Sequence, residues 1–464
     1  MSEIDDVRPG WPGRAYDAVR DLIGFDPGEQ LALVRHLLRW VALGCLVGVL
    51  SGVASTVFLV SLRWATEAFD THGWLLAILP LAGLAIGLAY HYGGGRSVEG
   101  NNLIIDEIHD PQDWVPRRMA PMILVGTIVT HLFGGSAGRE GTAIQMSGSL
   151  TDAASRVLHL DAADRRTMLI TAIAGGFGSV FGVPLAGAVF ALEVQAVGRV
   201  RYEALVPCLT ASVVGDLVVS GLGYHHAPTP DLGRVDLSPG LLAKVAVAGL
   251  AFALVGILFS ELTHGLKRLF ARTVGWAPAR PLIGGALVVA MTLAVGSHLY
   301  NGLSTGLADA SLFGADVPTW AFLLKLLFTA VTLGSGFVGG EVTPLFVIGA
   351  TLGATLAGLL GVPVPFLAAM GFVAVFAGAS NTPLACTIMG AELFGAGVIP
   401  YLAVACVVSY VFSSHRGIYG TQRVDVAKLP GWRGSSTLHG VAGERRRWLP
   451  ERRTGTSDAP RSDP

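Results

Sequence analysis

The chain has 464 residues and a formal net charge of −1, with 52% hydrophobic and only 14% charged residues. A soluble domain carries about 25% charged residues, so the composition excludes an ordinary water-soluble enzyme. The near-neutral balance gives no electrostatic bias toward nucleic acid. The deficit of charge places the chain in lipid, as an all-α polytopic membrane protein whose partner is the bilayer.

Residues 1–30 are mixed and polar. They begin with an acidic stretch, Met1 to Asp6, that lacks the charged-then-apolar pattern of a signal peptide. They read as a cytoplasmic segment with a short surface helix over Ala15–Ile23. Apolar stretches near the spanning length of roughly 17 residues or more follow at 37–62, 74–90, 241–259, 280–299 and 399–412. Stretches 119–133 and 164–182 read as shorter or as broken by glycine. The 61 glycines suit close helix packing and interrupted helices rather than straight spans, and more than ten helical segments of unequal length are expected. Cys45, Cys208, Cys386 and Cys406 lie far apart in apolar segments, without metal-ligand spacing, and read as packing residues. No metal and no cofactor are expected. Arg165 with Arg166, Arg199 with Arg201, Lys267 with Arg268, and Arg445 to Arg447 read as cytoplasmic edges.

Four glycine-containing segments bear on function. Gly100-Asn101-Asn102-Leu103 comes first. Next, Gly138-Arg139-Glu140-Gly141-Thr142 sits between apolar runs, with a carboxylate at membrane depth. Such a side chain is expensive there and marks a functional site by default. After a polar seam, His225 to Pro239, Gly339-Gly340-Glu341-Val342-Thr343 repeats the pattern, and Gly417-Ile418-Tyr419-Gly420 closes the series. Lys325, inside Phe322 to Phe328, reads as snorkelling to an edge. Residues 423–464 form a short cytoplasmic tail, Arg-rich and then rich in Ser, Asp and Pro, with a disordered end.

An internal repeat organises these features. Pro184-Leu185-Ala186 with Glu193 recurs 199 positions later as Pro383-Leu384-Ala385 with Glu392, and Phe177 matches Phe376 at the same offset. Glu140 and Thr142 match Glu341 and Thr343 at an offset of 201. The repeats are read as residues 31–230 and 231–422, and duplicated halves place a transport site where their helix ends meet. Glu193 and Glu392, on apolar helices beside small residues, read as buried structural pairing groups. A glycine-rich turn opening a helix offers convergent amides and the positive end of a dipole, which is an anion site without a full charge. A carboxylate there has two states. Ionised, Glu140 competes with the anion for the amides; protonated, it releases them and carries a proton. The phosphate-binding loop GxxxxGK[ST] and the HExxH zinc motif do not occur, and Ser136 in Gly134-Gly135-Ser136-Ala137-Gly138 resembles a nucleophile turn only superficially, with no His partner evident beyond His131, so the chain is not read as an enzyme.

Taken together, Gly138-Arg139-Glu140-Gly141, Pro184-Leu185-Ala186-Gly187, Gly339-Gly340 to Pro344 and Tyr419 resemble, in order, the signatures of the CLC family of anion channels and anion/proton antiporters. The resemblance covers about residues 31–422. It implies the CLC fold, two inverted-topology repeats of tilted and broken helices, and a homodimer with one pathway per subunit in the inner membrane, both termini cytoplasmic. The departures resemble the fluoride/proton antiporter branch. Asn101 stands where chloride members have a serine, Thr142 replaces a proline, Glu341-Val342 replaces an apolar pair with Thr343 next, and Val194 stands where chloride exchangers have an internal glutamate. The resemblance implies export of fluoride in exchange for protons, giving fluoride resistance. The alternatives are a chloride/proton antiporter or a passive CLC-type anion channel. It assigns Glu140 as the moving gate and Glu341 as its proton-transfer partner. Asn101, Asn102, Thr343, Tyr419 and the backbone of Gly138, Arg139, Gly141, Glu341 and Val342 are assigned to the ion path. Fluoride is small and strongly hydrated, and an asparagine NH₂ offers two short donors in place of water.

Overall fold

The computed structural model describes residues 27–428 and 437–441. The helix expected at Ala15–Ile23 and the end of the tail lie outside the described residues. The first half holds α1 (Pro27–Thr71), α2 (Leu79–Gly93), α3 (Asn101–His109), α4 (Met119–Leu132), α5 (Glu140–Val157), α6 (Ala162–Phe181), α7 (Pro184–Glu193) and α8 (Leu205–Gly221). The second holds α9 (Pro239–Thr273), α10 (Ala279–Val295), α11 (Thr305–Leu312), α12 (Ala321–Ser335), α13 (Val342–Leu360), α14 (Val364–Ser380), α15 (Pro383–Phe394) and α16 (Ile399–Phe412). Ala196–Val197 and Arg423–Val424 form β1 and β2, a short parallel pair.

Helix length varies as the glycine content predicts. α1 has 45 residues and α3 only 9. At about 1.5 Å per residue, the first is much longer than a hydrocarbon core of about 30 Å and the second far too short to cross it. Gly28–Thr71, Gly73–Gly93, Tyr202–Gly221, Pro239–Thr273 and Val342–Leu360 are long and apolar enough to span by length and composition. Exposed leucines and valines on α1, α9 and α10, among them Leu38, Leu254 and Leu293, give the molecule an apolar outer face of the kind that lipid covers.

Three expectations change. The stretch 164–182 is not broken by its glycines: α6 runs unbroken through Gly175, Gly176 and Gly178. These glycines admit a neighbour, since a Cβ on Gly178 would lie 1.9 Å from Ser212 Oγ. The apolar stretch 280–299 ends early as helix, because Gly296 at φ 69° caps α10 after Val295. Arg165 is no edge charge, whereas Arg166 is exposed. Arg165 is buried in an ion-pair network, donating from Nε to Asp152 Oδ1 at 2.6 Å and from Nη2 to Glu107 Oε2 at 3.2 Å. Arg96 Nη2 donates to the other Glu107 oxygen at 2.6 Å. Glu107 is on α3, so this network fixes the helix that opens with Asn101 and Asn102.

The matched residues of the two halves meet in space. Glu193 accepts the Leu384 and Ala385 amides at 3.1 and 2.9 Å. Glu392 accepts those of Leu185 and Ala186 at 2.9 and 2.8 Å. Each carboxylate satisfies the open start of the other half's Pro-Leu-Ala helix. Phe177 and Phe376 stack, with centroids 6.2 Å apart and planes 12° from parallel. α13 and α14 cross at Gly349 and Gly371; a Cβ on Gly349 would sit 2.0 Å from the Gly371 carbonyl oxygen. The polar seam is ordered against the second half: Leu232 N–H donates to Phe394 O at 3.1 Å, and Tyr401 Oη bridges Ser238 N and Asp236 O at 2.9 and 2.7 Å.

Candidate anion site

Two glycine-rich turns bring two helix starts together. Gly134, at φ 79°, ends α4, and the chain then runs through Gly138 to Glu140, the first residue of α5. From the other half, Gly336 at φ 108° ends α12, and Glu341 caps α13. The turns are clipped to each other: Gly138 N–H donates to Gly340 O at 2.7 Å, and Gly340 N–H to Gly138 O at 2.9 Å. Gly138 therefore corrects the expectation placed on it. Its amide faces Gly340 and is not a donor to an ion. Its role is steric, for a Cβ on Gly138 or Gly340 would stand 2.8 or 2.2 Å from Glu140 Oε1.

Glu140 is fully buried. Its Oε1 accepts the Val342 amide. Its Oε2 accepts the Thr343 amide at 3.1 Å, the Thr343 hydroxyl at 2.8 Å and the Arg139 amide at 2.9 Å. Val342 and Thr343 are the first residues of α13, so the carboxylate lies at the positive end of that helix, with a further donor from its own N-cap residue. Donors of this kind, amides and a hydroxyl at a helix start, also suit a small dehydrated anion. Thr142 bonds to Thr127 through their hydroxyls at 2.7 Å, tying α5 to α4 behind the site.

A cavity opens on each side. One, of about 250 Å³, is lined by Asn101, Asn102, Gln145, Glu341 and Tyr419, with His264 and Lys267 at its wall. The other, of about 380 Å³, is lined by Arg139 and Thr343 with Arg63, Glu67, His226 and Asp309. The Arg139 guanidinium lies 5.4 Å from the centre of the Phe181 ring. Thr343 faces the second cavity and Glu341, two residues earlier, the first; the buried Glu140 carboxylate lies between them.

The asparagines do not cap α3; Gly100 occupies that place, at φ 64° and without a side-chain bond. Asn101 Nδ2 lies beside Gly141, 3.0 Å from where a Cβ there would sit. Its Oδ1 is buried without a partner among the described residues. Asn102 Oδ1 accepts from Thr421 N and Oγ1 at 3.3 and 3.1 Å. A backbone N–H only donates, so it fixes the oxygen toward Thr421 and leaves the NH₂ as the group not used there. Tyr419 is 4% exposed, its ring 6.5 Å from that of Phe190.

Sequence reading missed Gln145, Thr421 and His264, and read Lys267 as an edge charge and not as part of this cavity. Gln145 carried a signal, because four residues after Gly141 it returns to the same helix face. Thr421, two residues past Tyr419, carried none. Lys325 does not snorkel. It is fully buried and donates to Ser136 Oγ at 2.9 Å, Gly302 O at 2.8 Å and Ser304 Oγ at 2.9 Å. Three strong acceptors match the three ammonium protons and pin the turn leading to Glu140.

Fold and site together define a polytopic helical membrane protein in which the starts of two helices, one from each half, meet at a buried carboxylate. Residues 82–414 match the family model described as voltage gated chloride channel, and the chain belongs to that family, the CLC proteins. It is 49% identical over 405 residues to a "Chloride/fluoride channel protein" of Pseudomonas syringae pv. tomato, covering 86% of this chain and 90% of that one. It is 28% identical to a "H(+)/Cl(-) exchange transporter" of Cronobacter sakazakii over 70% of this chain and 75% of that protein. Among solved structures it resembles a CLC-type fluoride/proton antiporter, at 34% identity and a TM-score of 0.82, covering 84% of this chain and 98% of that chain. A slow cyanobacterial Cl⁻/H⁺ antiporter, at 19% identity and a TM-score of 0.71 over 88% of this chain and 98% of that one, shares the fold.

Proposed function

We propose that this protein exports fluoride from the cell in exchange for protons, with Glu140 as the group that alternates with the ion. The observation that carries the reading is the seat of the Glu140 carboxylate on the Arg139, Val342 and Thr343 donors. Fluoride entering from the Tyr419 cavity takes those donors when Glu140 gains a proton. A neutral carboxyl is a weaker acceptor than a carboxylate, so protonation loosens its hold. Glu341, facing the Tyr419 cavity, passes the proton on. The NH₂ groups of Asn101 and Asn102 replace part of the ion's hydration shell on the way in. The resemblance to a fluoride/proton antiporter and to a chloride/fluoride channel protein supports the choice of ion.

The same reading assigns residues 31–230 and 231–422 to two inverted repeats, and the working unit to a homodimer with one pathway per subunit. It places the protein in the cell membrane with both termini in the cytoplasm. The test uses purified protein in liposomes loaded with fluoride or chloride, following halide release and external pH together. Fluoride efflux that drives protons inward is the expected result. Fluoride release without proton movement would make the protein a passive channel. Equal fluoride and chloride rates would remove the selectivity.

A further inference from the structure

Tyr419 stands on a loop rather than on a helix, so something else must fix its place. The loop Gly417 to Gln422 follows α16, buries Ile418 and Tyr419, and holds Asn102 through Thr421. Ile418 N–H donates to Ala379 O at 2.9 Å and secures one side. The other side is covered by residues 437–441 of the tail. There Leu438 N–H donates to Gln422 O at 3.1 Å and His439 N–H to Gly420 O at 2.9 Å, and Arg423 pairs with Thr437 in an antiparallel bridge. Leu438 and Val441 are buried at 4% and 0% exposure. The His439 ring lies so close to Gly420 that a Cβ there would fall 1.9 Å from Nε2, and a Cβ on Gly417 would be 3.1 Å from Leu438 Cδ1. Gly420 is not in the left-handed region, so it is this side chain, and not the backbone, that requires glycine. The His439 ring also lies 6.0 Å from that of His264, which lines the Tyr419 cavity.

We infer that Leu438 and His439 are positioning residues for transport: the tail segment is a clamp that sets where Tyr419, and through Thr421 also Asn102, stands in the ion path. The inference rests on the fluoride/proton exchange reading above. A loop freed from the clamp presents its groups to the ion in many arrangements, which weakens fluoride binding and discrimination more than turnover.

The test uses full-length protein in liposomes and reads fluoride KM, maximal rate and the fluoride-to-chloride preference. Gly420→Ala forces the imidazole away from the loop and should raise KM and lower the preference by about threefold or more, the maximal rate changing less. His439→Ala leaves a hollow and should shift both in the same direction. In the double variant the new methyl group occupies the space the ring vacates, so both values should return to within about twofold of the parent. Leu438→Ala removes side-chain packing at Gly417 but no backbone bond, and should move both values the same way even where Gly420→Ala fails to purify. Parental values in all three single variants would overturn the clamp, as would a double variant showing the multiplied losses of its singles. A parent that exchanges no fluoride for protons defeats the reading above; a working parent with silent variants defeats only the clamp.

Discussion

At the scale of the residue, the question is what a buried carboxylate gains by sitting on amides. Glu140 receives four donors across its two oxygens, and hydrogen bonds to a charged group are worth about 1.5–3 kcal/mol each. An ion that displaces it must offer a comparable acceptor, and fluoride does. Glu140→Gln keeps the shape but stays neutral, and its NH₂ must face donors. Proton uptake driven by a fluoride gradient should fall to background in this variant. Uphill fluoride pumping by Glu140→Gln would refute the gate assignment. Asn101→Ser exchanges two donors for one beside Gly141 and should cost the fluoride preference about tenfold or more, since one bond to an anion is worth at least about 1.5 kcal/mol. Selectivity measured equal to the parent's would place Asn101 outside the filter. The glutamate was legible because a carboxylate between glycines at membrane depth has few other uses. Lys325 was not, because its acceptors, Ser136, Gly302 and Ser304, are remote in sequence and only the fold brings them to its ammonium group.

At the scale of the element, the site depends on where helices begin. Glu140 opens α5 and Val342 opens α13, and the glycine turns before them could be read directly from the chain. The extents of the helices were less legible. The stretch 399–412 coincides with α16, whereas 164–182 was read as interrupted although α6 is continuous. Glycine in a packed membrane helix can admit a close neighbour without breaking the helix, and composition does not distinguish the two uses. The support of α3 was hidden altogether. Arg165 looked like a topological charge, but two carboxylates converge on it, and Trp114 lies 4.7 Å from its guanidinium carbon. Arg165→Met leaves Asp152 and Glu107 buried with reduced compensation. A loss of about 3–5 kcal/mol is expected, read as a lower thermal midpoint of the purified protein. Because Glu107 is on the asparagine helix, fluoride affinity should fall as well. A variant as stable as the parent would mean that the network carries little of the helix's position.

At the scale of the whole molecule, the halves are joined by reciprocity more than by the chain. Gly138 and Gly340 exchange backbone bonds, Glu193 and Glu392 cap each other's partner helices, and Phe177 meets Phe376. Glu193 with Glu392 and Phe177 with Phe376 are positions that the repeat had already aligned, and Gly138 meets the neighbour of its own match, Gly339, so the internal duplication was the part of the architecture most legible in the sequence. The seam itself bonds mainly to the second half, through Leu232 and Tyr401. On the proposed division into repeats, the covalent link after α8 is therefore dispensable. Residues 1–223 and 224–464, co-expressed as separate polypeptides, should co-purify in equal amounts and retain fluoride-driven proton movement in liposomes. Adding Glu193→Ala or Glu392→Ala should weaken co-purification of the split protein more than it disturbs the intact chain. In the intact chain the peptide link keeps the second half at high effective concentration, whereas the split protein relies on the interface alone. Halves that fail to find each other, while each inserts into the membrane, would show that the connection and not the matched contacts holds the two repeats in register.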